Sequence, residues 1–554
     1  MSKLTVTLTV MSILHCVAFS YGAVHVARDM FKAAVYGHAV ILPADPMTNV
    51  SRDQAVTNMQ KNVEVYRAQA QRAASQSADI IVFPEDGLYG FTFTRESIYP
   101  YLEQIPDPRA ESWSPCHAPD RHPNTDILRA LSCVAMETKL YLVANMGDKQ
   151  PCDVTTDPSC PPDGRYQYNT DVAFGPDGTL LARYHKFHLF YEAQFNTPEA
   201  EIIYFDTPFG RFGLMVCFDV LFSEPGVTMV LKNNISNIVF PTAWMDALPL
   251  LSAIGFHSSF ARGLGVNFLS ANIHLPEKRF HGSGVYTPDG MKVSYYGATN
   301  TTQPKLLLAD VDVLQIPKHN ISAFLDELSY KDEQNRVITT GTPQDEFKSL
   351  LFFDEFTFRS LEEPSGDLSV CQNEICCHLD FAMNQNDFGR ELFAFGAFDG
   401  LHTYEGQYYF QICALVKCAD VSNKSSCGAV TSTTSTSFLA VRMSADLQTP
   451  YVYPQVVLSD PRGELQLAEA ASWSFSGHSL HTGPSFNHTL LSAALFGRVY
   501  SRDNDSRSDI GIDLILTAGH IDRNNGGVSL RAEPFHGYFF SFLSIITHAI
   551  LLFF

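Results

Sequence analysis

The chain has 554 residues, and its 59 acidic side chains against 38 Lys and Arg give a formal net charge of −21 at pH 7. That balance excludes a nucleic-acid partner, which would need clustered Lys and Arg to neutralise phosphates. A hydrophobic fraction of 45% with 41 Phe supplies large cores, and at roughly 150 residues per domain the length implies about two to four folded units.

Residues 1–22 read as a secretory leader. Lys3 precedes an apolar run from Leu8 to Phe19, and the small residues Ser20, Gly22 and Ala23 follow, with cleavage expected after Gly22 or Ser20. The run is too short to span a bilayer. From Phe31 to about Val313 strand and helix signals alternate. FKAAVYGHAVI, from Phe31, reads as a strand. Val56, Met59, Val63, Tyr66, Ala70 and Ala73 then recur at spacings of three and four, which is one apolar face of a helix. ADIIVFPE, ending at Glu85, is a buried strand; TDILRALSCVAMETK is a helix starting at Thr125 or Asn124; LYLVANMG, from Leu140, is the next buried strand. TDVAFGPDGTLLARY is a hairpin about GPDG, and EIIYFDTPFGRFGLMV a second about TPFG. EPGVTMVLKNN reads as helix and ISNIVFPTAW as strand.

Such alternation implies an α/β domain over residues 23–315, whose ligands sit beyond the carboxyl ends of its strands. After Gln315 the helical signal stops. QYYFQICALVKC and TSFLAVRMS look like strands without helices between them. With the cysteines and glycosylation sequons that cluster there, they imply a β-rich, disulfide-stapled domain over 316–523. Residues 524–554 hold the small cluster NNGG, a polar spacer and an apolar tail from Tyr538. That order is the signal for a glycosylphosphatidylinositol anchor, attached at Asn525 or alternatively at Asn524. The competing reading of the tail is a transmembrane helix, which its lack of basic residues after the apolar run disfavours. An anchor places the protein on the extracellular face of the plasma membrane, with the lipid as its membrane contact. Sequons at Asn49, Asn234, Asn300, Asn320, Asn423, Asn487 and Asn504 agree with passage through the secretory pathway.

The compartment decides how the 12 cysteines are read. Cys16 leaves with the leader, so an odd number remains, and in an oxidising compartment at least one must stay free or pair with another chain. Several of the others sit in Pro- and Asp-rich loops such as KQPCDVTTDPSCPPDG, where a staple is natural. Cys217 sits in the apolar run RFGLMVCFDVLF, and parity nominates it as the free thiol, although the count alone fits any of the eleven.

Three predicted strands end in residues able to do chemistry: Glu85 after IIVFP, Lys186 after LLARYH and Cys217 after FGLMV. Singly, each has a dull explanation as a turn acid, a surface charge and a small core residue. Together they suit acyl transfer. A thiol titrating near 8.5 needs a base or cation beside it to act at neutral pH, a carboxylate can take its proton, and an ammonium can bind the oxyanion.

The segments IIVFPEDGLYGF, DGRYQYNTDVAFGPDGTLLARYHKFHLF and TPFGRFGLMVCFDVLF resemble the nitrilase superfamily with its Glu, Lys, Cys triad. More narrowly, YLVANMGDKQPC, PTAWMDALPLLSAIGFHSSFARGLGVNFLSANIH and GSGVYTP resemble the vanin and biotinidase branch, over about residues 31 to 313, with a looser likeness in the Cys-rich half. The resemblance implies an α/β fold: a four-layer α-β-β-α sandwich followed by a smaller β-rich domain. It implies Glu85 as general base, Lys186 as oxyanion stabiliser and Cys217 as nucleophile, with the backbone N–H of Phe218 as a second oxyanion donor. Glu192 is the candidate for a second acid near the Lys. Trp244 reads either as a wall of the acyl pocket or as core. Asp219 reads as an anchor for the turn after Cys217. His185 and His188 flank Lys186 without ligands at metal-site spacing, so neither a metal nor a cofactor is expected. The implied reaction is hydrolysis of a small-molecule secondary amide: pantetheine to pantothenate and cysteamine, or alternatively biocytin. A surface binding protein that kept the fold without catalysis is the reading from another class, and the intact triad opposes it. Oligomeric state is left open.

Overall fold

The computed structural model describes residues 28–299, 302–314 and 345–503. The leader, Asn300, Asn320, Asn504 and the anchor region with Asn525 lie outside the described residues. Among the described residues, twelve strands and five α-helices build the first part. The strands are β1 Met30–Gly37, β2 Ile80–Val82, β3 Tyr141–Pro151, β4 Arg165–Phe174, β5 Leu180–His185, β6 Tyr204–Thr207, β7 Gly210–Leu214, β8 Asn237–Thr242, β9 Asn267–Asn272, β10 Ser283–Thr287, β11 Gly290–Tyr295 and β12 Lys305–Asp312. The helices are α1 Arg52–Ser75, α2 Arg95–Ile98, α3 Asp126–Thr138, α4 Thr228–Asn233 and α5 Ala253–Leu264.

The strands form two six-stranded sheets, ordered β12-β1-β2-β3-β4-β5 and β11-β10-β9-β8-β7-β6. In each, three consecutive strands are parallel: β1, β2 and β3 in one, β7, β8 and β9 in the other. Period-2 alternation assigns the faces. Along β1, Phe31, Ala33 and Val35 join the core between the sheets, whereas Ala34 and Tyr36 join the core under the helices. The stripe Met59, Val63, Tyr66, Ala70 and Ala73 of α1 packs in that second core with Ile127, Leu131 and Val134 of α3. This is the α/β domain that the alternation implied, in the α-β-β-α arrangement that the resemblance implied.

Two local expectations changed. Thr125 stands at the N-cap of α3 but its side chain makes no cap hydrogen bond. The Glu103 carboxylate does that work instead, accepting the N–H groups of Ile127 and Leu128 at 2.9 Å each. Those N–H groups have no acceptor within the helix, so a carboxylate from another segment serves as well as a local cap. The helix expected from Glu224 is irregular at its start, where a π-helical turn, Ser223–Val227, precedes α4 at Thr228. Glu224 is extended (φ −95, ψ 135) because it precedes Pro225, whose ring excludes the helical conformation there.

The second part, from the strand Glu346–Leu351 to the strand His488–Arg498, is antiparallel at every strand pair described. It packs on α5. Phe256 and Phe260 face Tyr453 and Phe496 at centroid distances of 5.3 to 6.0 Å. The strand Val452–Ser459 comes so near that a Cβ on Gly263 would lie 2.5 Å from the Val452 carbonyl oxygen. Helix α5 is therefore buried on both faces, and the fourth layer of the sandwich doubles as the seam between the parts. Five disulfides form: Cys116–Cys133, Cys152–Cys160, Cys371–Cys376, Cys377–Cys413 and Cys418–Cys427. Among the described residues Cys217 is the free cysteine, as parity nominated.

Candidate active site

Glu85, Lys186 and Cys217 each lie just beyond the carboxyl end of a strand, β2, β5 and β7, and are only 2%, 2% and 8% exposed. β2 is a three-residue Ile-Ile-Val strand buried on both faces, and Pro84 ends its ladder because it has no N–H to donate. The turn that follows puts Asp86 at φ +56 and is fixed by the Asp86 N–H to Asn145 Oδ1 bond of 3.1 Å. Lys186 is placed by its N–H on the Asn169 carbonyl oxygen at 2.8 Å. Cys217 itself has φ +45. A non-glycine residue there is strained, and the strain is held by Asp219, whose carboxylate accepts the N–H of Val216 at 3.0 Å, the N–H of His188 at 2.8 Å and the hydroxyl of Tyr184 at 2.8 Å. Asp219 is thus the turn anchor expected. Burial pushes its carboxyl up to about 7, against the pull of those donors.

The three strand ends converge. Lys186 Nζ donates to Glu85 Oε1 at 2.7 Å and also to Glu192 Oε1. Glu85 Oε1 further accepts Asn169 Nδ2 at 2.8 Å, and its Oε2 accepts the Ala243 N–H at 2.7 Å. Glu192 Oε2 accepts Asn169 Nδ2 at 2.7 Å. One ammonium therefore sits between two carboxylates, and one amide spans the same two acids. Burial by itself would lower the ammonium's pKa, but Glu192, Glu85 and Cys217 outweigh it and hold Lys186 well above its usual range. Burial pushes the Cys217 thiol well up and Glu85 adds to the rise, while Lys186 and the Thr242 hydroxyl pull it down. The Thr242 oxygen makes no hydrogen bond of strict geometry, so it faces the sulfur as a weak partner only. A thiol held in its protonated form beside a fixed carboxylate suits attack in which the proton leaves as the sulfur advances.

The remaining predicted residues fall around this cluster. Phe218 is the second residue of the short helical turn Cys217–Leu221, where the first N–H groups have no acceptor within the turn. Trp244 is 7% exposed, at the end of β8, with its indole N–H on the Leu251 carbonyl oxygen at 2.8 Å. That bond and its stacking on Phe256 fix the indole within the core. The rings beside Lys186 are both engaged: His185 Nε2 meets Asp148 Oδ2 at 2.8 Å, and His188 Nε2 meets the Glu224 carbonyl oxygen at 2.9 Å. Asn49, Asn234, Asn423 and Asn487 are all exposed. Sequence reasoning missed Asn145, Asn169 and Asp171. They lie inside strands, where a polar residue reads as the solvent-facing half of an alternation, and only the second sheet buries them.

Family models match in two places: carbon-nitrogen hydrolase over residues 33–250 and the vanin C-terminal domain over residues 345–503. Among curated relatives, the pantetheinase of Mus musculus is 47% identical over 496 residues, covering 88% of this chain and 93% of its own. The pantetheinase of Homo sapiens is 46% identical over 490 residues, covering 88% and 92%. A biotinidase of Takifugu rubripes is 43% identical over 483 residues, covering 85% and 95%.

Proposed function

The chain belongs to the vanin and biotinidase branch of the nitrilase superfamily and is an amidohydrolase, and on that footing we propose that it hydrolyses pantetheine through a thioester on Cys217. The observation that carries the reading is the buried Glu85–Lys186–Glu192 cluster placed beside the free thiol. In the proposed cycle Glu85 takes the thiol proton as the sulfur attacks the amide carbonyl. Lys186 and the Phe218 N–H receive the oxyanion, worth about 3 to 4 kcal/mol per donor in comparable sites. Glu85 passes its proton to the amine, the C–N bond breaks, and cysteamine leaves with pantothenate held as thioester. Water, deprotonated by Glu85, then cleaves the C–S bond and restores the thiol. Glu192 shares the ammonium of Lys186 and keeps it charged.

Pantetheine is favoured over biocytin because the relatives at 46 to 47% identity are named pantetheinase and the biotinidase stands at 43%. The exposed sequon asparagines and the five disulfides support a glycosylated protein of an oxidising compartment. We place it on the outer face of the plasma membrane by a lipid anchor. Among the described residues no helix is long and apolar enough to cross a membrane. The deciding assay gives the purified ectodomain pantetheine and biocytin in parallel and measures cysteamine and lysine released. Release of cysteamine at the higher kcat/KM is expected; preferred release of lysine would transfer the reading to biocytin, and release of neither from folded protein would end it.

A further inference from the structure

A hairpin of the C-terminal domain packs beside the Cys217 turn. Its strands Phe393–His402 and Tyr408–Lys417 pair in register up to His402 and Tyr408, so residues 403–407 form the tip. That tip lies along the two segments that flank the reactive groups. The Tyr408 ring meets Phe218, the neighbour of Cys217, at 6.3 Å and Phe222 at 5.6 Å, both edge-on. A Cβ on Gly406 would come within 3.8 Å of the Phe218 Cζ. On the other side, Tyr191, the neighbour of Glu192, has its hydroxyl pKa raised by burial and then by Glu405 and Tyr404.

The tip is buttressed far beyond what a surface hairpin needs. His402 is clamped between Asp354, Nδ1 to Oδ2 at 2.8 Å, and Glu405, Nε2 to Oε2 at 2.9 Å, and the Tyr408 hydroxyl donates to Glu405. A second hairpin, between the strands Glu346–Leu351 and Asp354–Ser360, turns through Phe352 and Phe353 at φ +52 and +67. Two bulky residues in the left-handed region are costly. Their rings reach the tip: Phe352 stacks on His402 at 4.9 Å and Phe353 on Tyr404 at 3.7 Å.

We propose that residues 403–407 are the outer wall of the substrate site, that Tyr404 limits the size of the group able to reach Cys217, and that Phe353 holds Tyr404 in place. Selection among amides then depends on the C-terminal domain, although the chemistry belongs wholly to the other. The proposal rests on Cys217 being the reactive group, and it holds for whichever amide is the substrate.

The test uses the whole ectodomain as wild type, Tyr404→Ala, Phe353→Ala and, as a control, Leu350→Ala, an exposed residue of the same strained hairpin. Alkylation of Cys217 is followed with small iodoacetamide and bulky N-phenylmaleimide, and the label is mapped by mass spectrometry. Thiolate fraction cancels in the ratio of the two rates at one pH. Tyr404→Ala and Phe353→Ala should raise the bulky-to-small ratio about three- to tenfold, the equivalent of one lost aromatic pair, while Leu350→Ala leaves it unchanged. Phe353 is half exposed and keeps the test alive if Tyr404→Ala does not fold. Labelling at Cys217 with an unchanged ratio overturns the wall alone; failure of both reagents to label Cys217 in any variant overturns the nucleophile reading with it.

Discussion

Lys186 in the hydrolase domain and Arg498 in the C-terminal domain are both buried cations, at 2% and 0% exposure, yet their surroundings are completed differently. Arg498 Nε donates to the Leu221 carbonyl oxygen at 2.8 Å, Nη1 to the Tyr409 carbonyl oxygen at 2.6 Å, and the two Nη groups to Asp503 at 3.0 and 2.7 Å. Tyr408, Phe410 and Tyr500 stand around the guanidinium. Around Lys186 one ammonium serves two carboxylates, Thr242 Oγ1 and Asp171 Oδ2 have no hydrogen-bond partner, and Asp86, Tyr191 and Cys217 all have positive φ. Burying a charge is therefore no mark of a site in this molecule. What sets Lys186 apart from Arg498 is that strained backbone and unspent hydrogen-bonding capacity coincide around it.

The sharpest way to break that contrast is Cys217→Ser. The hydroxyl is a poor nucleophile without a base tuned to it, so kcat should fall on the order of 10^4-fold or more with the fold unchanged. Retained turnover would remove Cys217 from the chemistry. Lys186→Ala comes next, with kcat lower by about 10^2- to 10^3-fold, the cost of one oxyanion donor. A mild effect would move Lys186 to the same structural class as Arg498. Arg498→Met should do the reverse. It takes the buried cation from Asp503 and the Arg498 bond from the Leu221 carbonyl oxygen at the seam, which costs about 3 kcal/mol of stability in urea unfolding. Activity per folded molecule should be nearly unchanged, and a large drop in kcat at normal stability would mean that the seam takes part in turnover.

The sequence made the strand ends legible because IIVFP, LLARYH and FGLMV read as strands that stop just before Glu85, Lys186 and Cys217, and chemistry-bearing residues at such ends stand out. It made the free thiol legible through parity. Helix α5 was not read as a helix: with Phe256 and Phe260 buried toward the second domain and Ala261 and Leu264 in the same core, it has no polar stripe to reveal its period. The cap of α3 was missed because Glu103 comes from another segment. Arg498 and the tip 403–407 were unreadable for the same reason: each acts on residues nearly two hundred or more positions away, and nothing local distinguishes LFGRVY or TYEGQ from ordinary strand and turn. Asn169 was hidden inside a strand, by the alternation that made the strand visible.

Asn169 also offers the finest test of the contrast, since it is neutral and touches both acids. Its Nδ2 donates at 2.8 Å to Glu85 and at 2.7 Å to Glu192, while its Oδ1 accepts Asn145 Nδ2 at 2.6 Å. Asn145 in turn holds Asp171 at 3.0 Å and the Asp86 N–H at 3.1 Å, so the amide pair ties the acids to the strained turn. Burial raises the Glu192 carboxyl, Lys186 opposes that, and the Asn169 bond lowers it further. Removing the amide therefore raises Glu192, and its carboxylate is lost at a higher pH as the solution is acidified. In Asn169→Ala the acid limb of kcat/KM should move to higher pH, and the value at neutral pH should fall roughly tenfold, or about 1.5 kcal/mol for a hydrogen bond to a charged acceptor. A packing role alone would lower the melting temperature and the yield of active enzyme without moving that limb. A tenfold loss with the limb in place would make Asn169 resemble Arg498, a buried polar group whose work is the fold.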